Sequence, residues 1–403
     1  MPADSHNQRL LVWRERTCWL GFAAMGLSLN VLGPVLPALR TDLHTTYAAL
    51  STLLAVSAVG TLTTITIGNR LLDRFGYRTV MAGGAFGYGL ALLGAGLSHS
   101  LAGWIVAIAL TGMGSGLAEV VGPRWVGESM GSRRNAAMNL LNAFYGVGSL
   151  VGPLSVAALA SLRLPVTHAY LLAALVQFGL GALALRVFAG TRPPQSGVTS
   201  ALGGWLWALR RPALVRLTGL LALYVGCEVA FADWVASFAH GVDHLDVATA
   251  ALFPLAFFAA LAAGRSLASE RARHWSEEAI LAAGIAAALL GGGLCLLGRG
   301  PATLAVGALA TGMGFGPVFP TTLALAARWA PRHQSESFSL LFVGSSAGSL
   351  SLPWLAGQMA TRFGAFSSLV VPAVGTAGLG GLLAWVARAR GDEADPAIDP
   401  AAG

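Results

Sequence analysis

Twelve apolar runs follow one another along the chain, and each is about as long as a helix that crosses a lipid bilayer. A hydrocarbon core of about 30 Å requires roughly 20 helical residues. The runs cover residues 17–39, 48–67, 79–97, 101–121, 136–160, 165–188, 213–239, 247–267, 278–297, 301–327, 338–359 and 366–388. They predict an all-α membrane protein with twelve transmembrane helices.

The composition agrees with a lipid environment. Hydrophobic residues make up 55% of the 403 residues and charged residues only 11%, a balance that a soluble domain of this size does not carry on its surface. All 25 basic residues are Arg, and they lie at the ends of the apolar runs. A strongly basic chain can indicate nucleic-acid binding, but this placement reports membrane topology and excludes a nucleic-acid partner.

The arginines are distributed unequally between the two sides of the membrane. An even number of spans puts both chain ends on one side. Arg40, Arg163, Arg299 and Arg362 fall on the opposite side, whereas the other 21 fall on the side of the termini. Because positive residues accumulate on the cytoplasmic side, we predict a multi-pass protein of the cell (inner) membrane with both termini in the cytoplasm.

A repeat at an offset of 200 residues indicates two related halves. Residues 111–114, Thr-Gly-Met-Gly, recur as residues 311–314, and Gly-Ser-Leu at 148–150 recurs at 348–350. The predicted organisation is a cytoplasmic N-terminus over 1–16, six-helix halves over 17–189 and 213–390, a cytoplasmic linker over 190–212, and a disordered tail over 391–403. Two such halves can rock about a site held between them, which is typical of transporters.

The loop between the second and third runs carries the most specific local motif. The segment 68–78 has the order Gly, two residues, Leu, one residue, Asp, Arg, one residue, Gly, one residue and a basic residue. It resembles the cytoplasmic loop motif of the major facilitator superfamily and implies that fold for the whole chain. The resemblance implies a gating role for Gly68, Asp73, Arg74, Gly76 and Arg78, and Gly264-Arg265 at the end of the eighth run resembles a reduced copy.

Acidic residues inside the runs are the candidates for proton coupling, because charged groups are expensive in lipid and usually face a cavity. Glu228 lies near the middle of the seventh run, and Glu119 lies in the cytoplasmic third of the fourth. Glu228 is the first choice, since Glu119 can alternatively pair with Arg124. No Arg is expected deep inside a span, which disfavours an anionic substrate.

The candidate substrate-binding residues lie inside several of the runs. They are Asn30, Asn142, Tyr145, Gln177, Tyr224, Trp234 and Phe315. Tyr224-Val225-Gly226-x-Glu228 and the segment Gly-Phe-Gly-Pro at 314–317 resemble the fucose, glucose and galactose proton-symporter branch. That resemblance implies a small neutral solute, a sugar, moved by proton symport. Trp234 fits a position in the interfacial aromatic belt equally well, and the first-helix acid of fucose symporters has no counterpart beyond Asn30.

The alternative function is a proton-coupled exporter of drugs or metabolites. The segment Gly-Ser-Leu-Val-Gly-Pro at 148–153 is similar to the antiporter branch, but the fourth run lacks the buried Arg typical of it. The sequence shows no metal-ligand cluster, no cofactor motif and no nucleophile–base pairing. We therefore expect no enzyme activity and no cofactor. The expected partners are protons, a small-molecule substrate and the lipid bilayer, and the expected state is a monomer.

Overall fold

The structure is a computed structural model that describes residues 2–191 and 207–389. Within these ranges every regular element is a helix, and no β-strand occurs. Most of the predicted linker and the whole predicted tail lie outside the described residues.

The α-helices are labelled here in chain order. They are α1 Pro2–Leu29, α2 Leu32–Asp42, α3 Tyr47–Leu97, α4 Leu101–Ser129, α5 Arg134–Ser161, α6 His168–Val187, α7 Pro212–Val242, α8 Val247–Ala250, α9 Leu252–Arg271, α10 Glu277–Leu297, α11 Pro301–Phe315, α12 Val318–Trp329, α13 Gln334–Phe363 and α14 Ser367–Ala389. A short 3-10 helix, Gly131–Arg133, precedes α5.

Eleven stretches of the described residues are long and apolar enough to cross a membrane. One of them, α3, has 51 residues and would extend about 75 Å as a straight helix. It is interrupted at Gly76, whose φ of 75° and ψ of 167° are not helical and suit only glycine. Since α3 contains both the second and the third predicted span, the candidate spans number eleven or twelve.

Three of the other predicted spans are each divided into two helices. The first is divided into α1 and α2 at Asn30, the eighth into α8 and α9, and the tenth into α11 and α12 at Gly316 and Pro317. At the first break the Asn30 side chain donates from Nδ2 to the Gly26 carbonyl oxygen at 2.8 Å. The same carbonyl oxygen also accepts the Asn30 backbone N–H at 3.2 Å, so the side chain adds a second hydrogen bond to the last regular turn of α1.

Helix contacts recur at the offset of 200 seen in the sequence. We call α1–α6 the N-terminal bundle and α7–α14 the C-terminal bundle. Gly112 packs so closely on the Ser57 carbonyl that a Cβ would collide with it, and Gly312 packs in the same way on the Phe257 carbonyl. Each bundle therefore brings two of its helices together through the equivalent glycine.

The turns follow the same offset. His44 and His244 both adopt left-handed backbone, with φ of 47° and 55°. Thr46 and Asp246 both cap the next helix through a side chain that accepts from a backbone N–H. For Asp246 the hydrogen bond from the Thr249 N–H lowers the pKa of the carboxyl below its usual value, because that bond stabilises the ionised form.

The two bundles contact each other at one end of the molecule. We call this the Arg-poor end, and it carries the turns after α2, α7, α10 and α13; the Arg-rich end carries the N-terminus and the bend at Gly76. The Ala48 N–H donates to Thr361 Oγ1 at 2.6 Å, and Gln358 Nε2 donates to Ser51 Oγ at 3.2 Å. These contacts, together with the packing of α2 on α7, form what we call the seam.

Beyond the seam, toward the Arg-rich end, the bundles separate around a cleft. The side chains of Glu119 on α4 and Asn142 on α5 are exposed, although both residues lie within helices long enough to span the membrane. The protein is therefore closed at the Arg-poor end and open at the Arg-rich end.

Candidate functional site

The C-terminal bundle contributes a carboxylate, a guanidinium and a phenol to the centre of the protein. Glu228 lies near the middle of α7 and is half-buried. Tyr224 lies one turn before it and is fully buried. The Arg265 guanidinium on α9 lies within electrostatic range of both side chains. Within the described residues, the Tyr224 hydroxyl lies beside the Glu228 carboxyl and the Arg265 guanidinium, but it makes no hydrogen bond of good geometry to either, and Arg265 Nε is likewise unpaired.

Arg265 lies deeper than the sequence predicts, since its position indicates the end of a span and no Arg is expected further inside. Helix α9 continues to Arg271, so Arg265 lies well over one turn within it. It is half-buried rather than exposed in a loop. Its neighbour Gly264 packs against the Met313 carbonyl of α11 with no room for a Cβ, and this close approach holds α9 against the tenth predicted span.

The N-terminal bundle contributes Glu119, Tyr145 and Asn30. Glu119 is exposed, and Tyr145 and Asn30 are half-buried. Asn30 Nδ2 donates to Ser149 Oγ at 3.0 Å, which ties the break between α1 and α2 to α5. The Tyr145 phenol lies within electrostatic range of both Glu119 and Glu228, and it therefore connects the acids of the two bundles across the cleft.

Arg124 is engaged elsewhere and is not the partner of Glu119. Its NH2 group donates to Asp73 Oδ1 at 2.6 Å, and its Nε donates to Glu128 Oε1 at 2.9 Å. The structural pairing considered for Glu119 is therefore wrong. In the part of the chain that the structure describes, Glu119 has neither an ion pair nor a hydrogen bond.

The other predicted binding residues make separate contacts. Asn142 donates along its own helix to the Met138 carbonyl at 3.1 Å. Gln177 is buried inside the N-terminal bundle, where its Nε2 donates to Ser28 Oγ at 3.4 Å. Phe315 is fully buried, and its ring packs edge-on against Tyr224 with centroids 5.5 Å apart, so it supports the phenol without facing the cleft.

Trp234 lies in the seam. It is fully buried, and its indole Nε1 donates to the Pro353 carbonyl of α13 at 2.9 Å. Its ring meets that of Tyr47 at 5.9 Å between centroids. In this conformation the indole faces neither the cleft nor lipid. It therefore neither lines the cleft as a substrate-binding residue nor lies in the interfacial aromatic belt.

The gating-motif residues gather at the Arg-rich end of the N-terminal bundle. Asp73 binds Arg124 of α4, and Arg78 Nε donates to the Leu185 carbonyl near the end of α6 at 3.0 Å. Gly68 packs against Val120 of α4, and Arg74 lies over the Phe75 ring. The motif thus ties α3 to α4 and α6.

A second tie in the same region joins α3 to α4 and follows the repeat. The Tyr77 hydroxyl donates to Glu128 Oε2 at 2.6 Å. At the positions 200 residues later, Arg328 NH1 donates to Glu277 Oε2 at 2.9 Å. The equivalent helix ends, α3 with α4 in one bundle and α10 with α12 in the other, are therefore joined by hydrogen bonds between different side chains. This tie has no signature in the sequence, because the residue types differ between the two halves.

Comparison with known proteins agrees with this architecture. The profile of the Major Facilitator Superfamily matches residues 18–301. The chain belongs to the major facilitator superfamily. It is 26% identical over 324 residues to the uncharacterized transporter y4wD of Sinorhizobium fredii (strain NBRC 101917 / NGR234), a match that covers 79% of this chain and 84% of that protein.

Solved structures of low sequence identity share the fold. The nucleoside transporter NupG superposes with a TM-score of 0.76 at 13% identity, and the match covers 94% of this chain and 98% of that one. A bacterial homolog of the human lysosomal transporter Spinster, solved inward-facing and unoccupied, has a TM-score of 0.79 at 12% identity, covering 94% and 97%. This protein is thus a multi-pass membrane transporter and not an enzyme; the narrower resemblance to sugar symporters remains a prediction.

Proposed function

We propose that this protein is a secondary active transporter that moves a small neutral solute, a sugar, by proton symport through alternating access. One observation carries the proposal. Glu119 and Tyr145 of one bundle and Tyr224, Glu228 and Arg265 of the other lie around one cleft. A site shared by both bundles is released to one side of the membrane or the other as the bundles rock.

The chemistry of this group suits a hydroxyl-rich solute. A hydroxyl donates one hydrogen bond and accepts others, so it can bridge a carboxylate and a guanidinium that lie near each other. Arg265 removes the sequence-based reason for rejecting an anionic substrate. Glu228 nevertheless offsets its charge, and the pair together favours a neutral solute over an anion.

The orientation follows from the arginines. We place both termini, the linker over 190–212 and the Arg-rich end in the cytoplasm, with twelve spans divided into halves over 17–189 and 213–390. The bend at Gly76 supports two spans within α3. With this orientation, in an inner membrane, the cleft opens to the cytoplasm and the seam closes the outer side.

Two acids are proposed to couple solute movement to protons. Glu228 has Arg265 nearby, whereas Glu119 has no cation partner among the described residues. Protonation of Glu228 is disfavoured, because it leaves the Arg265 charge unbalanced. Protonation of Glu119 is easier, because it removes a charge that has no cation partner among the described residues. This difference supports Glu119 as the first choice for the proton carrier and Glu228 as the second, the reverse of the sequence-based order.

The test is uptake by proteoliposomes with an imposed pH gradient, using labelled hexoses, pentoses, nucleosides and lipophilic cations. We expect accumulation of one sugar that a protonophore abolishes. Glu119→Gln should retain counterflow exchange of that sugar and lose its pH-driven accumulation, whereas Glu228→Gln should weaken its binding. Stimulated movement of lipophilic cations alone would favour the exporter, and nucleoside uptake would replace the sugar assignment.

A further inference from the structure

The centre of the seam is a backbone contact between α2 and α7. A Cβ built on Gly33 would stand 2.7 Å from Asp233 Cα and 3.0 Å from the Asp233 carbonyl oxygen. Only a glycine lets the two helices approach this closely. Asp233 therefore lies where the bundles must part before the Arg-poor end can open.

Asp233 has no compensating charge in this position. It is half-buried, and in the described part of the chain it takes part in no hydrogen bond or ion pair. Among the residues that the structure describes, no Arg or His lies within electrostatic range of its carboxyl. On the same helix, Glu228 has the Arg265 guanidinium nearby, so the two acids of α7 are in opposite electrostatic situations.

The group that faces Asp233 from the N-terminal bundle is a phenol. The Tyr170 hydroxyl of α6 lies within electrostatic range of Asp233 and of the Tyr88 phenol of α3. Tyr170 is 1% exposed and Tyr88 2% exposed. In the described residues the Tyr170 hydroxyl has no hydrogen-bond partner, whereas Ser28 lies next to the Tyr88 hydroxyl. Buried hydroxyls normally have partners, and a proton or a water molecule between Asp233 and Tyr170 would supply one.

We infer that Asp233 is a proton-binding site that controls the seam, which closes over the protonated acid and opens when the carboxylate is ionised. An ionised carboxylate that leaves water without a partner is strongly destabilised, whereas the neutral acid is tolerated. Closure reduces the contact of the Asp233 carboxyl with water and supplies no partner for its charge, so the closed seam favours the protonated acid. The inference rests on the proposed function in taking seam opening as a step of the transport cycle.

This site differs from the acids of the cleft in its position. Glu119 is exposed to the cleft while the seam is closed, so it can exchange its proton at the Arg-rich end. Asp233 is half-buried in the seam in the same state, beside the contact that must part. Its proton occupancy therefore sets which conformation the protein adopts without any contact to the solute.

The test measures the opening of the seam directly, without any solute. Cys18, Cys227 and Cys295, which are buried and free, are replaced by Ser. Spin labels are then attached to His99→Cys and Arg299→Cys, exposed positions at the Arg-poor ends of the two bundles. We expect one short distance at acidic pH and a growing long-distance population at alkaline pH. Asp233→Asn should lose the long-distance population at every pH.

Two variants make the result specific. Asp233→Glu keeps an ionisable group in the seam and should keep the pH-dependent opening. Asp42→Asn removes an exposed acid at the Arg-poor end and should leave that dependence unchanged. The inference is overturned if wild-type distances do not depend on pH, if Asp233→Asn opens as the wild type does, or if Asp42→Asn abolishes the dependence.

These outcomes are separate from those of the uptake assay. Opening of the seam that depends on pH and requires Asp233 supports the inference even if no sugar in the panel is transported, in which case only the proposed function fails. Conversely, the protein could take up sugar while Asp233→Asn leaves the pH dependence of the spin-label distances unchanged. That result supports the proposed function and overturns the seam inference.

Discussion

At the scale of single residues, Arg265 is the difference between sequence and structure that matters most. Its position in the sequence, two residues before the end of an apolar run, is typical of a topology arginine. Its burial depends on how α9 packs against the tenth predicted span, where Gly264 and Gly316 meet backbone of the facing helix. That packing involves residues about 50 positions apart and has no local pattern, so it could not be predicted from the run itself.

The acids were easier to predict than their partners. Glu119 and Glu228 stand out because ionisable residues are rare inside spans, and the structure places both around the cleft. Their partners could not be derived in the same way. Arg124, five residues after Glu119, binds Asp73 and Glu128 instead, because α3 and α4 meet at the Arg-rich end.

Arg265 and Glu228 should behave as an electrostatic unit in solute binding. Arg265→Gln leaves Glu228 without its neighbouring cation, and Glu228→Gln leaves Arg265 unbalanced. We expect each to weaken binding by about tenfold to a hundredfold, as is typical of a polar group that loses its charged partner. The loss of affinity in the double variant should be smaller than the product of the two single losses, because both charges are removed together and neither is left unbalanced.

The measurement is equilibrium binding of the solute found in the uptake panel, for the wild type, the two single variants and the double variant. Thr303→Ala serves as the control, since Thr303 lies at the Arg-poor end and donates to the Arg299 carbonyl at 3.0 Å, and the affinity of this variant should stay close to wild type. Strictly multiplicative losses in the double variant would show that the two side chains act independently.

At the scale of helices, apolar length predicted where spans exist but not where they are interrupted. Length and hydropathy depend on local composition, so the regions of all twelve runs are helical in the structure. The breaks depend on particular backbone geometry. Asn30 bonds the Gly26 carbonyl through its side chain at one break, and a positive φ at Gly76 bends α3 without a stretch of loop residues.

The tie between Asp73 and Arg124 should govern the rate of the transport cycle more than solute affinity. Asp73→Asn removes the charge that binds Arg124 NH2, whose guanidinium keeps its contact with Glu128. We expect exchange to slow several-fold while the affinity in detergent stays within a few fold of wild type, because the tie lies at the Arg-rich end, away from Glu228. Counterflow rates and equilibrium binding are the two measurements.

A control exists in the other bundle. Glu277→Gln disturbs the tie at the position 200 residues after Tyr77, but Arg328 keeps Glu278 as a second partner at 3.2 Å. Its effect on exchange should therefore be smaller than that of Asp73→Asn. Loss of solute binding in Asp73→Asn would show that the residue supports the binding site and would remove its assignment as a latch.

At the scale of the whole molecule, the repeat predicted paired architecture, and equivalent contacts at Gly112 and Gly312 follow it. Which end is closed could not be predicted. The open and closed arrangements of a transporter use the same helices and differ by only a few kcal/mol, so composition and periodicity are the same in both. The choice depends on contacts between bundles, such as Ala48 with Thr361, that no local pattern shows.

The closeness of α2 and α7 should therefore set the balance between the two arrangements. Gly33→Ala puts a methyl group against the Asp233 backbone, 2.7 Å from its Cα, and neither backbone can rotate away as a side chain could. Overpacking of this kind costs about 1–3 kcal/mol, which corresponds to a shift of roughly tenfold or more toward the arrangement in which the seam is open. The spin-label pair at positions 99 and 299 should report a larger long-distance population at every pH.

Gly83→Ala is the matched control, because a Cβ there meets nothing within 4 Å and alanine favours a helix over glycine. Its distance distribution and thermal stability should equal or slightly exceed those of the wild type. A Gly33→Ala protein with a wild-type distance distribution would mean that α2 and α7 slide past each other without parting the bundles. Alternating access would then have to open the Arg-poor end around a different contact, and Ala48 with Thr361 is the next candidate, because its hydrogen bond joins α3 to α13 across the same seam.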